Sequence, residues 1–234
     1  MKIAGIQKMT LLDYPGKVAC TVFLPGCNFR CPYCHNSELL SGEIEGVMEQ
    51  EELLRLLQKR RGLLDAVCIS GGEPTLQPQL EALVRAIKAM GYLVKLDTNG
   101  SRPEVLRALV TSGVVDYVAM DIKNAPTRYD ETAGAAVERS AIEESIAFLL
   151  QDTVDYEFRT TVVEQLHTRE DLAAMGAWLG EISPERKAKK WFLQPFVDRD
   201  TVCFAGLSAP GAEELERFCA ALSPYAECVT VRGQ

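Results

Sequence analysis

Six times along this chain, a short run rich in β-branched and apolar residues is followed by an amphipathic stretch of helical period. This alternation restricts the fold more than any other feature. A helix after each strand carries the chain back to where the next strand starts in the same direction, so the pattern builds a parallel sheet. Strands are predicted over residues 18–24, 66–70, 92–97, 117–122, 156–163 and 191–195. Helices are predicted near residues 49–60, 77–90, 103–111, 141–150, 169–181 and 212–222. Thr168 and Asp171 have capping-box spacing, Gly91 and Gly113 follow helices as C-caps, and Pro103 suits a first turn. No Pro-, Gly- or Ser-rich linker divides residues 1–234, so one α/β domain is expected. Six such units make an open barrel segment or a doubly wound sheet. In either case ligands gather at the carboxyl ends of the strands.

With 25 Lys+Arg against 33 Asp+Glu, the net charge is -8, and 47% of residues are hydrophobic, an ordinary soluble composition. A chain of this length buries roughly 70–75% of the surface its unfolded state exposes, so stability alone requires no cross-links. The eight cysteines therefore need another reason. The opening MKIAGIQKMTLLDYPG lacks the apolar core of a signal peptide, and no apolar run approaches the ~20 residues of a membrane span. A cytoplasmic location is expected, where disulfides are rare and clustered cysteines point to metal or redox chemistry. The acidic balance argues against a nucleic-acid partner, and no membrane partner is expected. The basic runs at residues 59–61 and 186–190 read as solvated helix ends.

Directly after the first predicted strand, Cys27, Cys31 and Cys34 stand in the spacing CxxxCxxC, with Gly26 and Pro32 supplying turns. Three thiolates so close suit an iron–sulfur cluster or zinc. Zinc would need a fourth ligand, and there is no second CxxC pair to provide it. His35 is the obvious candidate, but as the neighbour of Cys34 it reaches the same ion awkwardly. A four-iron cluster on three cysteines leaves one iron open to a small chelating ligand. The other cysteines, Cys20, Cys68, Cys203, Cys219 and Cys228, have no ligand spacing; Cys20 and Cys68 read as small buried hydrophobes, and no second cluster is expected. His167 reads as a solvated turn residue, and Trp191 and Phe192 as strand packing. Asp97 and Asp121 end neighbouring strands, so their carboxylates should face one cavity, where they could bind an ammonium or a monovalent cation. The run Asp13-Tyr14-Pro15-Gly16 also reads simply as a tight turn.

The cysteine spacing with Tyr33 before its last member, together with Ser70-Gly71-Gly72-Glu73-Pro74 after the second strand, resembles the radical S-adenosylmethionine superfamily. Tyr33-Cys34-His35-Asn36, Leu96-Asp97-Thr98-Asn99-Gly100 and Asp121-Ile122-Lys123 are similar to the glycyl-radical-enzyme activases in particular. The resemblance implies a partial (βα)6 TIM-like barrel of parallel strands, open on one side. It implies that Cys27, Cys31 and Cys34 hold a catalytic [4Fe–4S] cluster, and that Tyr33 lies against the adenine of S-adenosylmethionine. By the same resemblance Gly71, Gly72 and Glu73 receive the amino end of that cofactor, Asp121 and Lys123 its amino-acid and ribose side, and Thr98, Asn99 and Arg159 further polar edges. Asp13, Asp97 and Thr98 match positions around the substrate or a small monovalent-cation site in pyruvate formate-lyase activating enzymes. The family's histidine near the end of the sixth strand has no counterpart, the chain reading Leu193-Gln194-Pro195-Phe196-Val197 there.

The implied reaction is reductive cleavage of S-adenosylmethionine to methionine and a 5′-deoxyadenosyl radical, which takes a hydrogen atom from a glycine of a partner enzyme. The opening GIQKMTLLDYPGKVACTVFLPGCNFRCPYCHN is most similar to activases of anaerobic ribonucleoside-triphosphate reductase, with pyruvate formate-lyase as the alternative partner. A flavodoxin- or ferredoxin-type electron donor is implied. A radical enzyme acting on a small molecule or RNA would share the cofactor motifs.

Overall fold

A computed structural model of the chain describes residues 1–42 and 44–233. Its elements run β1 (Lys2–Ile3), β2 (Gly5–Thr10), β3 (Ala19–Leu24), β4 (Met48–Glu49), α1 (Gln50–Lys59), β5 (Ala66–Gly71), α2 (Leu80–Ala89), β6 (Leu93–Thr98) and α3 (Pro103–Thr111). They continue with β7 (Tyr117–Asp121), α4 (Tyr129–Ala133), α5 (Arg139–Leu149), β8 (Asp155–Val162), α6 (Arg169–Ile182), β9 (Ala188–Pro195), α7 (Ala212–Leu222) and β10 (Ala226–Val231). The main sheet has eight strands in the order β10-β9-β8-β7-β6-β5-β3-β2. From β3 to β10 the pairing is parallel; β2 alone is antiparallel, on β3. The sheet curls as a partial barrel and does not close, leaving β2 and β10 as its two edges.

All six predicted strands and all six predicted helices are present, with ends displaced by a few residues where they differ. Two strands extend the sheet beyond six units. The seventh parallel strand, β10, alternates half-exposed and exposed residues after Ala226, so it has no continuous apolar run to mark it. The antiparallel β2 is polar along much of its length and precedes every helix, so no βα pattern frames it. A short ladder between β1 and β4 ties the amino terminus to the start of α1. The capping box of α6 forms as its spacing requires: Asp171 N–H donates to Thr168 Oγ1 at 3.2 Å, and Thr168 N–H to Asp171 Oδ2 at 2.9 Å.

Alternation along the strands divides the side chains between two faces. Outward, Val22, Ile69, Val94, Leu96, Val118, Met120 and Phe158 join the continuous apolar core beneath the helices. Inward, at the amino ends, Ala19, Ala66, Cys68 and Tyr117 form a small apolar plug closed by Tyr14, whose ring lies 5.7 Å from that of Tyr117. Above this plug the inner face is polar. Cys20 and Cys68 are buried thiols, and burial pushes the Cys20 pKa up to about 11.

His167 departs from its expectation. It is 3% exposed rather than solvated. Val163 N–H donates to its Nδ1 at 3.1 Å, leaving Nε2–H to donate to the Lys123 carbonyl at 2.8 Å. Burial lowers its pKa, so the ring is a neutral strap between the segments that follow β7 and β8. Its position after a strand and before a helix gave no signal of that burial. Trp191 packs as expected, fully buried, with Nε1 donating to Thr160 Oγ1 at 3.0 Å.

Candidate active site

The chain leaves β3 at Leu24 and enters the cysteine loop at the carboxyl end of the sheet, where backbone bonds fasten it from several directions. Gly26 N–H donates to the Leu39 carbonyl at 2.7 Å, Glu73 N–H to Gly26 at 2.8 Å, and Arg30 N–H to Ala133 at the end of α4 at 2.8 Å. Gln77 Nε2 donates to the Pro25 carbonyl at 2.6 Å, and Asn36 Nδ2 to that of Gly71 at 3.1 Å. The loop therefore keeps its shape through protein contacts. Cys27, Cys31 and Cys34 all line one cleft of about 250 Å³. Burial raises the pKa of each thiol, so ligating a metal there must release protons.

Among the described residues no three Cys, His, Asp or Glu side chains converge on a single ion. A polynuclear cluster makes no such demand, since each thiolate takes its own iron. His35 stands in the cleft wall with Nε2 bonded to the Val197 carbonyl at 2.7 Å and its ring stacked on Phe196, centroids 5.7 Å apart.

The second wall is the turn after β5. A Cβ on Gly71 would lie 2.3 Å from the backbone N and O of Leu24, and one on Gly72 would lie 2.0 Å from the Gly26 oxygen. Glycine is required at both because any side chain would push the turn away from the cysteine loop. Glu73, 1% exposed, bridges this turn to the end of β6. Its Oε1 accepts from Thr75 N–H and Oγ1 at 3.1 and 2.5 Å and from Thr98 Oγ1 at 2.8 Å; Oε2 accepts from Asn99 N–H at 2.6 Å. Burial dominates its ionisation and raises its pKa in spite of these donors.

The third wall is a row of charges on β6, β7 and β8. Arg159 donates from Nε to Asp121 Oδ1 at 2.8 Å and from Nη1 to Asp97 Oδ2 at 3.2 Å. Lys123 Nζ reaches Asp121 Oδ2 at 3.1 Å, and behind the wall Lys95 Nζ, outside the cleft lining, donates to Asp97 Oδ1. Burial disfavours the charges of Asp97, Asp121, Lys123 and Arg159. For Asp121 the cations Arg159 and Lys123 outweigh it and hold the pKa down at about 2; for Lys123 the Asp121 carboxylate outweighs it and holds the pKa well above the usual lysine range. These four groups are ionised.

Of the residues singled out from sequence, Cys27, Cys31, Tyr33, Cys34, Gly71, Gly72, Glu73, Asp97, Thr98, Asn99, Asp121, Lys123 and Arg159 line this one cleft. Asp13 does not line it; in the segment before β3 it accepts from Thr21 Oγ1, and Lys17 N–H closes the adjoining turn on the Tyr14 carbonyl at 3.2 Å. Sequence reasoning missed Asn36, Ser70, Thr161 and Gln194 as cleft residues. Ser70 and Thr161 were findable as inward positions at strand ends, and Gln194 stands near where the family histidine was sought.

Chemically, the cleft offers three thiols, a glycine turn open to close backbone approach, and both signs of charge. Tyr33 also stands in its wall, its hydroxyl buried and, among the described residues, without a hydrogen-bond partner. A buried hydroxyl without a partner marks capacity for a ligand. These residues fit a thiolate-bound iron–sulfur cluster beside a zwitterionic cofactor.

The radical SAM superfamily model matches residues 21–162. A Methanocaldococcus jannaschii protein assigned as a glycyl-radical enzyme activating enzyme is 31% identical over 98% of this chain and 95% of its own length. The Clostridium pasteurianum pyruvate formate-lyase-activating enzyme is 33% identical over 53% of this chain and 52% of that enzyme. In fold, the chain is similar to Streptococcus suis SuiB bound to S-adenosylmethionine, with TM-score 0.68 at 13% identity, over 91% of this chain and 52% of that one. The family model spans more than half the chain and a relative matches nearly all of it; the chain belongs to the radical SAM superfamily, in its glycyl-radical enzyme activating family, and uses a [4Fe–4S] cluster and S-adenosylmethionine.

Proposed function

We propose that this protein installs a glycyl radical on an anaerobic ribonucleoside-triphosphate reductase. The carrying observation is the convergence of the three thiols, the Gly71–Gly72 turn and the ionised row on one cleft at the carboxyl ends of the strands. The similarity of residues 5–36 to reductase activases supports the choice of partner. Once bound, the cluster and S-adenosylmethionine supply a hydrogen-abstracting radical. The chain's own residues bind, orient and exclude water.

Cys27, Cys31 and Cys34 would hold the cluster, and the backbone ties of their loop fix where the three thiols stand. Gly71 and Gly72 let the amino end of the cofactor approach the backbone, beside the lightly engaged Oε2 of Glu73. Asp121, Lys123 and Arg159 hold its polar groups in fixed charge states, and Thr98 and Asn99 keep Glu73 in place. Tyr33, in the cleft wall, would lie against the adenine. The unclosed side admits a loop of the partner. We assign residues 1–234 to one catalytic domain working in the reducing cytoplasm with a flavodoxin- or ferredoxin-type donor.

The test is electron paramagnetic resonance on anaerobically reconstituted protein, with S-adenosylmethionine, a one-electron reductant and each candidate partner. A glycyl doublet on the reductase is expected. A doublet on pyruvate formate-lyase alone transfers the activity to that partner. Cofactor cleavage that depends on a small molecule or RNA, with no glycyl radical on either enzyme, overturns the proposal.

A further inference from the structure

The roles assigned to the cleft leave Lys95 without a task. It lies in the middle of β6, 1% exposed, and does not line the cleft. A buried ammonium is costly, and a methionine of similar length would fill the space more cheaply, so the charge itself needs a reason.

Its partner supplies one. Lys95 Nζ takes Oδ1 of Asp97, while Arg159 takes Oδ2. Arg159 and Lys123 also engage both oxygens of Asp121. The other carboxylates near this part of the inner face are engaged elsewhere: Arg232 donates to both oxygens of Glu157 at 2.7 and 2.9 Å, Tyr117 donates to Glu157 Oε2 at 2.9 Å, and Asp13 accepts from Thr21 Oγ1. Lys95 is therefore committed to Asp97. Without it, Asp97 would present a bare oxygen next to the Arg159–Asp121 pair, the kind of oxygen that recruits a monovalent cation. With it, that oxygen is already taken by a covalently attached charge.

We infer that Lys95 is a built-in counterion: it occupies the place of a monovalent metal ion at Asp97 and, by holding Asp97, sets Arg159 and Asp121 for the cofactor. It is a positioning residue, and the inference rests on the reading of the cleft as the S-adenosylmethionine site. Its consequence is that cofactor binding is indifferent to sodium or potassium.

Calorimetry of S-adenosylmethionine on the reconstituted protein, at equal ionic strength in potassium, sodium or choline chloride, tests this. The unaltered protein should bind equally in all three. Lys95→Ala should bind about tenfold more weakly in choline and recover in ethylammonium chloride, which restores an ammonium to the vacated space. Lys95→Met, which fills that space without charge, should not recover. A merely structural lysine would give the same loss in every salt, and that result overturns the inference. So does an affinity of the unaltered protein that rises about tenfold from choline to potassium or sodium.

Thermal unfolding without S-adenosylmethionine separates this inference from the cofactor reading. Ethylammonium should raise the midpoint of Lys95→Ala above its value in choline, and Lys95→Met/Asp97→Asn should unfold at a higher temperature than Lys95→Met. If both hold while no salt supports cofactor binding to the unaltered protein, the reading of the cleft fails and the Asp97 counterion stands without its positioning role. If neither holds, the inference fails whatever the cofactor does.

Discussion

The two faces of the curled sheet are built from alternate residues of the same strands, yet they obey different physics. On β8, Phe158 points outward, fully buried, its ring 5.8 Å from that of Trp191. The next residue, Arg159, points inward and pairs with two carboxylates. Parallel strands buried on both faces ordinarily read as continuous apolar runs. An inner face carrying Lys95, Asp97, Asp121, Glu157 and Arg159 gives up that apolar burial and bears the desolvation of its charges. Ion pairs so placed are weak evidence for stability, and three of these charges, Asp97, Asp121 and Arg159, line the cleft proposed to hold the cofactor. The outer face holds the protein together; the inner face forms the wall of the candidate site.

A matched pair of substitutions gives the strongest test of this division. Phe158→Ala should cost about 3–5 kcal/mol in denaturant unfolding through the cavity it leaves. Arg159→Met should cost a similar ~3–5 kcal/mol, because Asp97 and Asp121 lose their shared partner. Only Arg159→Met should also abolish calorimetric binding of S-adenosylmethionine. If Phe158→Ala, refolded and at a temperature where it is native, loses that affinity equally, the two faces are not separable.

The acid limb of stability gives a smaller effect. The folded pKa of Asp121 is about 2 against an ordinary 3.8, so its stabilising contribution is present above the ordinary value and disappears as pH falls toward 2. The difference in unfolding free energy between the unaltered protein and Asp121→Asn should therefore shrink over that interval by on the order of 1–2 kcal/mol. Glu73 works in the opposite sense. Its raised pKa favours the folded state below the ordinary 4.5, and that contribution fades as pH climbs through the folded value. Denaturant titrations across acid pH on Asp121→Asn and Glu73→Gln check the pair, and equal slopes would refute the opposite shifts assigned to Asp121 and Glu73.

The smallest effect lies on the outer layer, at a residue that does not line the cleft. Thr168→Ala removes the N-cap of α6 and should cost about 1 kcal/mol, with cofactor affinity unchanged. A measurable loss of affinity would show that α6 reaches the cleft, through Asp171 and Arg128 or through the neighbouring His167.

Much of this architecture was legible without coordinates, and what was not has a common cause. The interior strands and the helices announce themselves through period, and caps such as Thr168 and Asp171 lie within a turn of each other. The cysteine spacing is equally local. Edge strands carry a weaker signal, because one side of β10 meets solvent and its sequence need not be apolar. His167 could not be read as buried, since one of its two ring partners, the Lys123 carbonyl, comes from the segment after β7, more than forty residues earlier.

The sequence by itself determined the repeating βα order, the loop of three thiols and the glycine turn, because near-neighbour sterics and spacing encode them. Only the tertiary structure decided how the charges pair. Arg159 meets Asp97 across 62 residues of chain because β6, β7 and β8 are consecutive in the sheet. It also decided that Glu73 spans from the β5 turn to the β6 end and that Lys95 neutralises a carboxylate two positions along its own strand. Charge–charge energies depend on separation and on exclusion of water, and in this protein both follow from which strands become neighbours and how tightly the sheet curls around them.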